Sequence, residues 1–242
     1  MNKKYRRYIK LLKFLSIIAI ILLIPLASYY IKIAPLDYQQ GVTVRILYLH
    51  VPCAWLSLLC YSAMALCSLL NIIKPQQLYG AVIKVVSKIG ANITLMTLIC
   101  GSLWGSVSWG SYWVWDARLV SELILLLLYL GIISLNASFT EETKGDFASS
   151  ILCLIGSINL PIIKFSVKWW NSIHQGESIS LLHHSNIAPL MYDALIYSAL
   201  ALCSITALIF LINLELELYH RAYKRHKHLQ SRIKYKKYLE DI

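Results

Sequence analysis

The feature that most constrains this chain is the sixfold recurrence of long apolar runs, at about 11–31, 46–70, 81–103, 121–139, 147–165 and 192–213. A helix that crosses a bilayer needs about 20 consecutive, mostly apolar residues. Each run meets that length, and together they use most of the chain. The composition agrees: 58% of the 242 residues are hydrophobic, only 14% are charged, and the mean hydropathy is +0.60. A soluble domain carries about 25% charged residues. These values exclude an ordinary soluble domain, a disordered chain and a secreted disulfide scaffold. The expected fold is all-α: one integral-membrane unit over 1–242, a bundle of six transmembrane helices.

The formal charge of +11 would suggest nucleic acid in a soluble protein. Its distribution points elsewhere. Six of the 23 Lys and Arg residues lie between Lys3 and Lys13, and eight between Arg221 and Lys237. Basic clusters flanking spans read as cytoplasmic anchors on a lipid bilayer. Both termini are therefore expected in the cytoplasm, with no nucleic-acid partner. The first run follows a basic start but is longer than a signal-peptide core and lacks a convincing A-x-A site, so it is read as an uncleaved span. The segments near 32–45, 104–120 and 166–191 then face outward. The tail 215–242 is expected to prolong the last helix as a solvated basic anchor, with an interfacial helix as the other reading. The six cysteines (Cys53, Cys60, Cys67, Cys100, Cys153 and Cys203) fall in apolar stretches without a CxxC pair. They read as small buried packing residues.

Tryptophan and histidine carry the functional signal. Six of the seven tryptophans lie in two outward segments: Trp104, Trp109, Trp113 and Trp115 in one, Trp169 and Trp170 in the other. An interfacial belt would place them at both faces, so a functional aromatic platform competes with it. His50 begins the second run and His174 lies in the last outward segment. For His50 a hydrogen bond to a neighbouring helix is the bland reading; a surface histidine is the bland reading for His174. Two imidazoles sharing a face with many indoles also suit haem, as axial ligands and as flat apolar walls. Arg45 and Arg118 are the nearest outward cations for its propionates. Asp116 pairs with Arg118 on paper, and an interfacial salt bridge explains that pair as well as propionate binding does.

The stretch Trp104-Gly-Ser-Val-Ser-Trp-Gly-Ser-Tyr-Trp-Val-Trp-Asp-Ala-Arg-Leu-Val-Ser-Glu-Leu resembles the tryptophan-rich WWD signature of haem-handling proteins. Two flanking motifs narrow the resemblance to the CcmC family, haem exporter protein C of cytochrome c maturation system I. They are Asp37-Tyr-Gln-Gln-Gly with Arg45-Ile-Leu-Tyr-Leu-His-Val-Pro, and Asn159-Leu-Pro-Ile-Ile with Ser166-Val-Lys-Trp-Trp-Asn-Ser-Ile-His-Gln-Gly. The resemblance is strong over about 35–180. It implies a periplasmic haem site with His50 and His174 as axial iron ligands. It also implies a platform of Trp109, Tyr112, Trp113, Trp115 and Asp116. Tyr112 stands where the family commonly has Trp, and Val120 where Thr is common. The implied cargo is haem b, presented for covalent attachment to the chaperone CcmE. CcmD and the ATP-driven CcmA and CcmB are the further partners implied, in a bacterial inner membrane or a mitochondrial one. The chain has no Walker A sequence of its own and is expected to present haem rather than act as a conventional enzyme. Two alternatives are a bis-histidine cytochrome b-type electron-transfer subunit and a haem permease. His183 and His184 match no motif.

Overall fold

The computed structural model describes residues 3–170, 172–174 and 187–240, with side chains between 6 and 231. The fold is all-α. Helices α1 (Lys3–Ile33), α2 (Leu47–Ile73), α3 (Gln77–Ser108), α4 (Ala117–Ala137), α5 (Glu142–Gly156), α6 (Asn159–Trp169) and α7 (Pro189–Glu240) follow one another. A short 3-10 turn, Val42–Ile46, precedes α2. Six helical segments among the described residues are long and apolar enough to cross a membrane. Five of the six apolar runs fall within one of them, and the fourth, 121–139, overruns its helix, which ends at Ala137, by two residues.

The fifth segment is two helices rather than one. The run at 147–165 predicts a continuous span, but the chain turns at Ser157 and Ile158 between α5 and α6. Pro161 explains the break. It has no N–H to donate to the carbonyl of Ser157, and its ring crowds that carbonyl. The chain restarts with a tight bond from Leu160 N to the Ser157 carbonyl, 3.1 Å. Buried Asn159 turns its side chain to the Ser121 carbonyl of α4 at 2.9 Å. Helix α6 is thereby fixed beside the start of α4.

The core sits between α2, α3, α4 and α5. Tyr61, Met64, Ile83, Leu125, Tyr129, Ile132 and Cys153 are buried there in one cluster. The Tyr61 and Tyr129 rings meet edge to face at 5.1 Å. Both hydroxyls are satisfied, by the Cys153 carbonyl at 3.3 Å and the Ser57 carbonyl at 2.8 Å. Helix α1 lies outside this core and packs chiefly along α7. The cysteines are all free. Cys53, Cys100 and Cys153 are buried as expected, whereas Cys60 and Cys67 are half-buried and Cys203 is exposed. On a bundle surface facing lipid, a small apolar thiol needs no burial.

The two ends of the bundle differ in chemistry. At one, the basic end, α7 runs on past the apolar run as a single helix of 52 residues, about 78 Å long. Among the described residues of the expected solvated tail, Arg221 is the exception, only 2% exposed. Its guanidinium donates to both Asp146 oxygens, at 2.6 and 3.0 Å, and to Glu217 at 2.8 Å. Asn136 also donates to Asp146 at 3.2 Å. Glu217 accepts from Lys84 at 2.8 Å as well. The cluster ties α7 to α3, α4 and α5. Gly80 gives it room, since a Cβ there would lie 1.9 Å from an Asp146 oxygen. The other end, called here the tryptophan end, carries the motifs singled out above.

Candidate functional site at the tryptophan end

The motif Asp37-Tyr-Gln-Gln-Gly is a tight turn. Asp37 accepts from the backbone N–H groups of Gln39 and Gln40, both at 2.8 Å. Gly41 closes it with a φ of 56°, a conformation that favours glycine. The turn presents Gln40, whose side-chain oxygen Oε1 accepts from the Trp104 indole at 2.8 Å. Trp104 lies on α3, not in the loop. Its ring meets the His50 imidazole edge to face at 5.7 Å.

His50 is positioned from three sides. Its Nδ1 lies 3.1 Å from the Thr97 carbonyl on α3. The neutral tautomer that donates there keeps its Nε2 lone pair for a ligand, the usual arrangement for a metal-binding histidine. The hydrogen bond to a neighbouring helix, the bland expectation, is therefore present and is compatible with ligation. Gly101 lets the ring approach α3: a Cβ there would be 2.9 Å from the imidazole Cε1.

Asp116 organises the other half. It is 7% exposed and caps α4, accepting from Arg118 N at 2.9 Å. Its second oxygen accepts from Ile173 N at 3.2 Å, and the Ser172 hydroxyl adds a further bond. One carboxylate thus joins the start of α4 to the segment 172–174. Burial opposes its ionisation, but the bonds from Ser172, Arg118 and Ile173 prevail and hold it below the ordinary carboxylate value. An Asp116→Asn variant keeps the cap through its side-chain carbonyl and loses the second acceptor. We expect a loss of about 1–2 kcal/mol, read as a lower melting temperature and a changed Trp109 fluorescence.

That fluorescence is informative because Trp109 lies against His174, ring centroids 5.0 Å apart. His174 Nδ1 is buried without a hydrogen-bond partner among the described residues. Partial burial, then the charges of Arg118 and the second imidazole, outweigh Asp116 and push its pKa from 6.5 to about 4. The imidazole is neutral, and able to coordinate, across the neutral range. Because the folded value lies below the unfolded one, its contribution to stability is complete above pH 6.5 and is lost as pH falls towards 4.

Both histidines line one cavity of about 290 Å³ between α2, α3, α4 and α6, together with Trp104, Trp113 and Arg118. Lys164 and Lys168 add cationic groups to its wall, and Glu122 lies at its side. Pockets that enclose a whole small molecule run from ~300 to ~1,000 Å³, so a porphyrin-sized disc would be enclosed only in part. Trp115 and Tyr112 stand outside, 80% and 65% exposed. The Trp113 and Trp115 rings meet edge to face at 5.7 Å. Arg45 is exposed on the 3-10 turn and does not line the cavity. Among the described residues no three His, Cys, Asp or Glu side chains converge as a metal site. His183, His184 and the end of the His-Gln-Gly motif lie outside the described residues.

Several contributors escaped the sequence reading. Glu122 is buried and accepts from the Ser57 hydroxyl at 2.9 Å. From sequence it reads as a residue near a span end, and only the packing of α2 on α4 brings it to the cavity. Trp55, the one tryptophan outside the two outward segments, also lines it. Gln40 and Gly101 belong to the same group. Gln40 lay within a recognised motif, but its partner, 64 residues further on, could not be read from spacing.

Fold and site together define a multi-pass helical membrane protein with a two-histidine, tryptophan-walled, cationic cavity at one end. Comparison with known proteins gives the family. Residues 2–229 match the CcmC family, heme exporter protein C, and the chain belongs to it. It is 43% identical over 184 residues to the heme exporter protein C of Bradyrhizobium diazoefficiens, covering 74% of this chain and 70% of that one. It is 41% identical over 181 residues to its namesake in Escherichia coli K12, covering 75% and 73%. It is also 48% identical over 173 residues to a putative cytochrome c biosynthesis ccmC-like mitochondrial protein of Marchantia polymorpha, covering 69% and 73%.

Proposed function

We propose that this chain handles haem for cytochrome c biogenesis by holding it as cargo at the tryptophan end and presenting it to CcmE. The observation that carries the proposal is the pair of imidazoles on one cavity. His50 uses Nδ1 on a backbone carbonyl and keeps Nε2, while His174 has a buried nitrogen with no partner among the described residues. An unsatisfied buried nitrogen is costly, and coordination to iron would satisfy it. Haem b supplies an iron with two axial positions and two propionates. Arg118, Lys164 and Lys168 supply the positive charge the propionates need. The partial enclosure suits presentation: Trp113 lines the cavity and would contact a bound disc, while exposed Trp115 and Tyr112 lie outside it. Arg45 is better placed to structure the turn before α2 than to meet a propionate.

By the positive-inside rule, the basic ends of α1 and α7 support a cytoplasmic location for that end and an outward-facing tryptophan end. In a bacterium that is the periplasmic face of the inner membrane, where CcmE would take the haem. CcmD, CcmA and CcmB are the other partners of this proposal, with ATP-driven release assigned to the last two.

The test is transfer. The purified chain loaded with haem and mixed with CcmE should yield acid-stable haem on CcmE, and Trp113→Ala should cut the yield about tenfold or more. Haem that cycles with a quinol but never transfers would favour an electron-transfer subunit. Gly101→Ala gives a subtler check. The added Cβ displaces the His50 ring by a few tenths of an ångström, and haem affinity should fall about tenfold with the fold unchanged by circular dichroism.

A further inference from the structure

A second cavity, of about 690 Å³, opens between α3 and α7 and shares no lining residue with the cavity that holds the histidines. Its lining changes along its length. Lys84, Lys88 and His220 line it towards the basic end; Ile93, Leu202 and Ile205 line it further in. Among the described residues no aromatic ring other than His220 lines it, unlike the cavity at the tryptophan end.

Depth makes this lining informative. Twenty residues of α3 separate Trp104 from Lys84, about 30 Å of helix, which is the thickness of a bilayer's hydrocarbon core. With Trp104 at one interface, Lys84 marks the other and Lys88 lies one turn inside it. Lys88 is exposed, and its ammonium has no ion-pair or hydrogen-bond partner among the described residues. The carboxylate nearest in the groove, Glu217, is already shared by Lys84 and Arg221, each at 2.8 Å. A lysine at that depth draws its charge towards the headgroups and needs an anion there. Asn92, one turn deeper, spends one amide hydrogen on the Lys88 carbonyl at 2.8 Å and keeps its second.

We propose that the α3–α7 groove is a binding site for one anionic phospholipid. Its phosphate sits against Lys88 and His220, and one acyl chain lies along the aliphatic stretch between the helices. Charge selects the headgroup, and the ring-free wall suits an acyl chain better than a flat aromatic ligand. Basic pockets between membrane helices are recurrent sites for such lipids.

The full chain, purified in detergent and stripped of lipid, would be titrated with dioleoylphosphatidylglycerol or dioleoylphosphatidylcholine and examined by native mass spectrometry. One phosphatidylglycerol should bind in preference to phosphatidylcholine. Lys88→Gln should lower its occupancy about fivefold, whereas Lys144→Gln, an exposed lysine at the same end, should not. Equal binding of the two lipids, or equal loss in both variants, overturns the proposal. In native membranes, a benzophenone amino acid at Leu202 should cross-link to lipid. An adduct with a polypeptide overturns the proposal in favour of a subunit interface. Neither readout involves haem, so the outcome is independent of the function proposed for the tryptophan end.

Discussion

Replacing His50 or His174 with alanine is expected to abolish the low-spin, six-coordinate absorption spectrum of the haem-loaded protein. Each imidazole is held by groups that the substitution leaves in place: the Thr97 carbonyl and Gly101 for His50, Asp116 and Trp109 for His174. The cavity therefore persists while one axial position is vacated, and a five-coordinate, high-spin spectrum should replace the original. Loss of a group that merely supports a metal ligand costs ~10–100-fold in affinity, so loss of a ligand itself should cost at least about a hundredfold. The double variant should bind haem only through its aromatic and cationic walls. Thermal melting without haem separates this effect from misfolding and should change little. Two single variants with an unaltered low-spin spectrum would refute the ligand assignment.

The largest stability effect is expected at the opposite end. Arg221→Ala would leave the Asp146 carboxylate buried beside Asn136 and Gly80 without its cation. Removing one partner of a buried pair costs about 3–5 kcal/mol. Asp146→Ala should cost somewhat less, because Glu217 still accepts from Arg221. The double variant should lose less than the sum of the two, since neither charge is stranded. Lys144→Ala, whose pairing with Glu141 is exposed on both sides, should stay within about 0.5 kcal/mol. Denaturation of the detergent-solubilised chain, followed by helical circular dichroism, would check all four. Equal stability of Arg221→Ala and the parent would show that the buried pair does not hold the tail.

The six spans were legible because hydropathy over twenty residues is a local property and the bilayer imposes the length. The site was legible in part. His50, His174 and the tryptophans stand out as costly or dense residue types in apolar surroundings, and the structure brings both histidines with Trp104, Trp113 and Arg118 to one cavity. What was missed depends on distant segments meeting. Arg221 looked like one more basic residue in a charged tail, because nothing near it in sequence announces Asp146. Glu122 looked peripheral until α2 supplied Ser57. The break before Asn159 could have been inferred from Pro161, had that residue been weighed against the apolar run around it.

Helix α3 has a geometric consequence for the whole molecule. It contains no proline and runs unbroken for 32 residues, so the register between its ends is set by residue count alone. Near one end it carries Gly80, Lys84 and Lys88; near the other, Thr97, Gly101 and Trp104. Adding or deleting one residue between Lys88 and Thr97 would turn one set about 100° relative to the other and shift it by about 1.5 Å. The charged cluster with its neighbouring groove, and the histidine seat, could not then both face their partners. Helix α3 acts as a keyed ruler: length can vary in a loop or a tail, but not in this interval.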